Sequence, residues 1–252
     1  MAKSESIQIK SFVKNIFNQP QWTDQVHNPF GGLLIDQSGY VDVNSFLNTA
    51  RNLFLRHNQF VESELSFQKL IQSDSKIEYG NVECDRIIFC EGASAKANPY
   101  FQWVPIRPMK GEVLGIRLEE IPNTIYNRGV YIVPQFENSY RVGATYEQPP
   151  FVDTVTEQGR FEMEEKLKAL IAIPYSVVDQ WWGVRPTSPD RRPILGSHPN
   201  YKNVFIFNGL GTKGVSLAPY FSHLLATHLT DGDEIMSEVN IQRFYPLYSG
   251  LR

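Results

Sequence analysis

The chain has 252 residues, 42% of them hydrophobic and 20% charged, a balance that excludes a disordered chain and suffices for one large domain or two modest ones. Its net charge of -3 argues against a nucleic-acid partner, because phosphate contact calls for a basic surface. No apolar run reaches the length of a membrane span, and Met1 to Phe12 lacks the apolar core of a secretory signal, so a soluble, cytoplasmic protein is expected.

Twelve Tyr and sixteen Phe favour strand-rich structure and apolar clefts. The first helical periodicity lies at Phe46, Leu47, Ala50, Leu53 and Phe54, a stripe that predicts a helix with one buried face. Asp42 stands just upstream, placed to cap it. Before the helix, Pro29-Phe30-Gly31-Gly32-Leu33 and Gln37-Ser38-Gly39-Tyr40 read as turn, short strand, turn. After it, Phe60-Val61 and Phe67 to Ile71 are expected as short strands. Ile87-Ile88-Phe89-Cys90 is a continuous apolar run ended by Glu91-Gly92, the pattern of a strand buried on both faces. Cys84 and Cys90 lack metal-ligand spacing and are expected to be reduced.

From Ile106 the texture changes. Arg107 to Arg117, Gly129 to Val133 and Tyr140 to Thr145 are rich in β-formers with turns between, which predicts an antiparallel sheet. One helix interrupts it, from about Glu157 to Ile171, with Thr154-Val155-Thr156-Glu157 in capping-box form and Phe161, Leu167 and Ile171 facing inward. Glu162, Glu164 and Glu165 read as its solvated face. The end of the chain returns to α/β texture. Val204 to Phe207 reads as a buried strand, and Leu217, Phe221, Leu224 and Leu225 as the apolar face of a helix that tolerates Pro219 near its start.

Between that strand and helix stands Asn208-Gly209-Leu210-Gly211-Thr212-Lys213-Gly214. Its G-x-G-x-x-G spacing lets backbone approach a ligand and leaves the first N–H groups of the helix free for an anion. A complete dinucleotide unit would need a further strand with an acidic residue about 20 residues on, and the tail after Leu229 shows none. A tightly packed structural turn is the alternative. The second dense segment, Trp181-Trp182-Gly183-Val184-Arg185-Pro186, suggests an aromatic wall beside one cation. Arginine suits a carboxylate because its planar fork donates two parallel hydrogen bonds, although a structural carboxylate such as Asp190 could equally take Arg185. Gly92-Ala93-Ser94-Ala95-Lys96 begins like a nucleophile elbow, but Lys96 replaces the second glycine, so a small turn is expected. His223 and His228 do not share a helix face, and no metal site or catalytic side chain is expected.

Taken together, Trp181 to Leu229 resembles the D-amino-acid oxidase/glycine oxidase superfamily of flavoproteins. Gly31 to Asp42, Cys84 to Ser94, Arg107 to Leu114, Tyr131 to Pro134 and Val142 to Thr145 resemble further segments of that family in the same order. The resemblance implies a mixed fold, α+β or α/β, in which the remainder of an FAD-binding domain (residues 41–100 and 184–252) alternates with an antiparallel-sheet substrate domain (residues 1–40 and 101–183). It implies that Arg185 holds the substrate carboxylate and that Tyr131, Thr145 and Tyr146 line the pocket. FAD would lie against Gly92 and against Gly209, Leu210, Gly211, Thr212, Lys213 and Gly214. The family's leading strand and G-x-G-x-x-G have no counterpart here, since Met1 to Gln25 contains no glycine, and Leu210 stands where many relatives carry histidine.

The function so implied is oxidation of the C–N bond of a small-molecule amine or amino acid by hydride transfer to FAD, in a protein for which an oligomer is possible. The rival is a non-catalytic binding protein that keeps the fold without FAD. A tRNA-modifying flavoenzyme of the same superfamily is disfavoured by the acidic charge. Arg141 reads as a surface arginine, with a place near the flavin as its alternative.

Overall fold

A computed structural model describes residues 12–18, 25–119, 124–135 and 138–249; the leading segment read for a signal, residues 1–11, lies outside them. In chain order the elements are β1 (Val13–Phe17), β2 (Gly32–Ile35), α1 (Val43–Arg56), β3 (Leu70–Gln72), β4 (Ile77–Tyr79), β5 (Val82–Cys84) and β6 (Ile87–Phe89). There follow β7 (Arg107–Leu118), β8 (Tyr126–Arg128), β9 (Val130–Pro134), β10 (Ser139–Gly143), α2 (Glu157–Leu170) and β11 (Tyr175–Thr187). The last are β12 (Ile194–Ser197), β13 (Val204–Asn208), α3 (Gly214–Asp231) and α4 (Tyr245–Ser249). Among the described residues no helix is long and apolar enough to cross a membrane. The chain divides into two compact units, residues 1–43 with 110–183 and residues 44–109 with 184–252, where the sequence led us to expect breaks after residues 40, 100 and 183.

The first unit contains a five-stranded sheet in the order β11-β7-β10-β9-β8 and a separate antiparallel pair, β1-β2. β10 pairs antiparallel with both neighbours, setting Val142 opposite Leu114 on one side and Ile132 on the other. Strand alternation then gathers Leu114, Ile116, Leu118, Ile132 and Val142 on one face, where Met163, Leu167 and Leu170 of α2 close over them. Each such side chain contributes about 1.5–3 kcal/mol on full burial. Phe161, expected inward, is 60% exposed: two residues from Met163, it projects from roughly the opposite side of the helix. The helix is capped by Thr156, whose hydroxyl accepts from Gly159 N–H, and not by the Thr154 box.

The second unit contains the sheet β12-β13-β6, in which β13 runs parallel to β6 and antiparallel to β12, and the meander β3-β4-β5. Leu225 of α3, with Phe221 and Leu224, packs on Leu195, Phe205, Ile235 and Val239, as its spacing predicts, while Leu217, expected on the same face, is half-buried outside that cluster. Other expectations fail here for want of neighbours. Phe60-Val61 forms no strand, and Phe67–Lys69 is a single 3-10 turn leading into β3. Ile88 is 40% exposed, because β6 is an edge of its sheet. The stripe of α1 is likewise open, with Phe46 62% exposed and no buried residue in the helix. An apolar stripe calls for a partner, and none of the described residues supplies one.

Candidate functional site

In the second unit, β6 and β13 lie side by side and each ends in a glycine turn. Gly92, Gly209 and Gly211 have φ of +58°, +72° and +56°, a region glycine enters without the strain that a Cβ brings. Gly209 also leaves room for its surroundings: a Cβ there would stand 3.0 Å from Ile194 Cγ1 and 3.3 Å from the Arg192 carbonyl oxygen. One buried amide ties the two turns. Asn208 Nδ2 donates to the Gly92 carbonyl at 2.9 Å, and Gly209 N–H donates to Asn208 Oδ1 at 2.8 Å.

The loop continues as a 3-10 turn, Gly211–Lys213, and passes directly into α3. Lys213 occupies the cap position and offers no side-chain hydrogen bond to the helix, so the leading N–H groups of α3 are not capped by a side chain. Leu210, Gly211 and Gly214 are half-buried, while Thr212 and Lys213 are exposed. Uncapped N–H groups at the positive end of a helix suit an anionic group. With half-exposed glycine backbone at Gly92 and Gly211, this cradle fits the edge of a bound cofactor.

The end of β11 packs on both turns. Pro186 Cγ lies 3.7 Å from where a Cβ on Gly92 would be, and Thr187 Cγ2 lies 3.5 Å from the equivalent point on Gly211. Thr187 Oγ1 donates to the Arg107 carbonyl at 2.6 Å. Arg185, half-buried, therefore enters the chain immediately before two residues that touch the glycine turns. Asp190, its candidate structural partner, is held by Arg243, with Nε 2.9 Å from Oδ2, and by the Arg192 N–H. Burial pushes the Asp190 carboxyl up, but these donors together with Ser188 outweigh it and hold it below the usual carboxylate range.

In the first unit the implied pocket residues take different places. Tyr131 crosses its sheet neighbour: a Cβ on Gly143 would stand 2.6 Å from the Tyr131 hydroxyl. Thr145 is buried and bonded into the sheet, its Oγ1 accepting from Glu112 N–H at 2.8 Å and its own N–H donating to the Glu112 carbonyl at 3.1 Å. Tyr146 is 65% exposed.

Two arrangements escaped sequence reasoning. The first is the Asn208 clamp, signalled only by an Asn before the first loop glycine. The second is a buried network around Glu112, which takes hydrogen bonds from Thr156 N–H at 2.9 Å, from Thr156 Oγ1 at 2.7 Å and from Gln180, and which pairs with Lys110 at 3.0 Å. Lys110 also pairs with Glu147 at 3.3 Å.

Parallel strands ending in glycine turns, in a chain that also builds an antiparallel sheet, define a mixed α/β protein with a cradle for an anionic group. Residues 14–228 match the model of the FAD dependent oxidoreductase family, DAO, and the chain belongs to that family. Over 178 residues it is 28% identical to the bifunctional protein ThiO/ThiG of Trichormus variabilis, covering 66% of this chain and 26% of that protein. It is 32% identical over 123 residues to a glycine oxidase of Bacillus subtilis, covering 47% and 33%. The crystal structure of glycine oxidase from Geobacillus kaustophilus superposes with a TM-score of 0.56 at 24% identity, covering 66% of this chain and 48% of that one. The chain thus spans less than half the length of these relatives.

Proposed function

We propose that the protein oxidises the C–N bond of an amine or amino acid, with FAD as hydride acceptor. The observation that carries this reading is the packing of Pro186 and Thr187 on Gly92 and Gly211, which sets Arg185 beside the turns best suited to a flavin edge. The chemistry that FAD supplies when bound is two-electron acceptance, with hydride leaving the carbon that bears the amine. Everything else falls to the chain. Arg185 binds the substrate carboxylate through its fork and so orients that carbon. Gly209 to Gly214 and the start of α3 present N–H groups to negative charge. Tyr131 and Tyr146 line the substrate side, while Thr145 ties the segment that carries Tyr146 to Glu112. No protein base is needed, since a neutral amine yields hydride directly and the imine product hydrolyses in water. Relatives named glycine oxidase favour an amino acid as substrate.

The test is the visible spectrum of the purified protein after incubation with FAD and desalting, followed by anaerobic bleaching with a panel of amino acids. Retained flavin bands and bleaching are expected. Arg185→Ala is expected to raise KM for a carboxylate substrate roughly a hundredfold, the worth of a bidentate charged contact, with its melting temperature unchanged. Equal loss of binding and of folding would sink the assignment of Arg185, and a flavin that no amine bleaches would sink the reaction.

A further inference from the structure

The face of the first unit's sheet that α2 does not cover carries an arginine, Arg141, that forms no ion pair among the described residues. Arg141 on β10 stands opposite Gly115 of β7 and Val133 of β9. Trp181, from β11, leans inward over Gly115 so closely that a Cβ there would meet its Cη2 at 2.8 Å. The ring so placed lies under the guanidinium, with Arg141 Cζ 5.5 Å from its centroid, a cation–π stack. Two residues along β10, Gly143 admits the Tyr131 ring from the other direction. Arg141 therefore stacks on the Trp181 ring, and the Tyr131 ring covers Gly143 two residues further along the same strand face.

The guanidinium is not satisfied where it lies. Arg141 Nε is buried and has no hydrogen-bond partner among the described residues, and none of their ion pairs includes Arg141. Asp179, on the same face, approaches Gly115 through its Cβ, and its carboxylate accepts from the Gln180 N–H at 2.8 Å. Arg117, on this face as well, is exposed. A buried donor without an acceptor is costly and calls for an explanation. A planar fork stacked on an indole and carrying one positive charge matches a flat, singly charged carboxylate better than a tetrahedral, doubly charged phosphate.

We propose that Arg141, stacked on Trp181, binds a carboxylate, and that it selects substrates with an acidic side chain. The second half rests on the amine-oxidation reading above; the first does not. Two isosteric pairs separate them, both used on the full protein loaded with FAD. Butyrate and butyramide are titrated by calorimetry with tryptophan fluorescence as a second signal, and inorganic phosphate is titrated alongside. Glutamate and glutamine, in both enantiomers, are compared as reductants of the flavin.

Butyrate is expected to bind in an Arg141-dependent way and butyramide is not. Arg141→Gln should lose roughly tenfold to a hundredfold in butyrate affinity, the range for a charged hydrogen bond, while Arg141→Lys keeps part of it. Arg160→Gln, an exposed change on α2, should lose nothing, and melting curves should show all three variants folded. Glutamate should outpace glutamine by a similar factor, and that ratio should collapse in Arg141→Gln. Unchanged butyrate binding in Arg141→Gln, or phosphate binding as tightly as butyrate, would overturn the carboxylate site. Glutamine reacting as fast as glutamate would overturn the selection while leaving amine oxidation intact. Arg141-dependent butyrate binding in a protein whose flavin no amino acid reduces would uphold the site and defeat the reaction.

Discussion

The carboxylate of Glu112 fills the space into which a side chain at Gly159 would grow: a Cβ there would stand 2.7 Å from Glu112 Cδ. In an ordinary capping box the third residue of the helix reaches back to the cap N–H. Here that third residue is Gly159, and Glu112 of β7 reaches in instead to take the Thr156 N–H. Alanine is the better helix former by about 1 kcal/mol, yet Gly159→Ala is expected to destabilise the protein by about 1–3 kcal/mol through overpacking. Urea denaturation of the two proteins decides it, and a stabilised variant would contradict the account.

Glu112 itself sits where burial pushes a carboxyl up, but hydrogen bonds from Thr156, Lys110 and Gln180 outweigh burial and hold it below its ordinary value. Its contribution is therefore complete above the unfolded value, about 4.3, and is lost as pH falls through the lower folded value. Glu112→Gln leaves Lys110 less well matched and should cost about 3–5 kcal/mol at pH 7. The gap to the native protein, followed by denaturant titration, should narrow below pH 4.

His198 acts in an earlier window. Tyr100, Phe101, Trp103, Tyr201 and Tyr248 surround its ring, and burial among them pulls it down to about 4. The folded protein thus prefers the neutral imidazole. Stability is full above about 6.5 and declines between there and pH 4, by about 3 kcal/mol in all. Stability measured at pH 7 and pH 4.5 should show the decline, and His198→Phe should remove it.

Asn208→Leu leaves the Gly92 carbonyl and the Gly209 N–H without the partner each now has. A cost of about 1–3 kcal/mol is expected, together with loss of flavin on desalting. Asn208→Asp keeps an acceptor for Gly209 and loses the donor to Gly92, so its retention of flavin should be intermediate. Full retention by the Leu variant would show that the clamp does not shape the cradle.

Phe161→Lys should change stability by no more than about 0.5 kcal/mol, as at an open surface site. Leu167→Ala, on the buried side of the same helix, should cost about 2–5 kcal/mol. Thermal or chemical melts of the pair would settle which side of α2 meets the sheet.

What could be read in advance was what depends on nearby residues. The long β7 and the C-terminal strand–glycine–helix segment announce themselves by alternation and by glycine at fixed offsets. The cap of α2 was misplaced at Thr154 because the group that completes it, Glu112, is 44 residues away from Thr156. Asn208 looked like one more loop residue because its acceptor, the Gly92 carbonyl, lies 116 residues upstream. Ile88 and the stripe of α1 were expected inside on hydrophobicity, yet burial belongs to the neighbours as much as to the residue. At the site, Arg185 and the glycines stood out, whereas the stack of Arg141 on Trp181 depends on strand order and could not be seen along the chain.

The hydrogen bond between Thr187 and Arg107 has a bearing on how such a chain can be altered. Both residues belong to the second unit, so the hydrogen bond holds the point where the chain leaves that unit after Met109 close to the point where it returns at Val184. Insertions are best tolerated where entry and exit already lie together. The second unit is in this sense already sutured across its gap: its glycine turns depend on a closure made by its own residues, and a change in the length of the stretch between 110 and 183 would leave that closure in place.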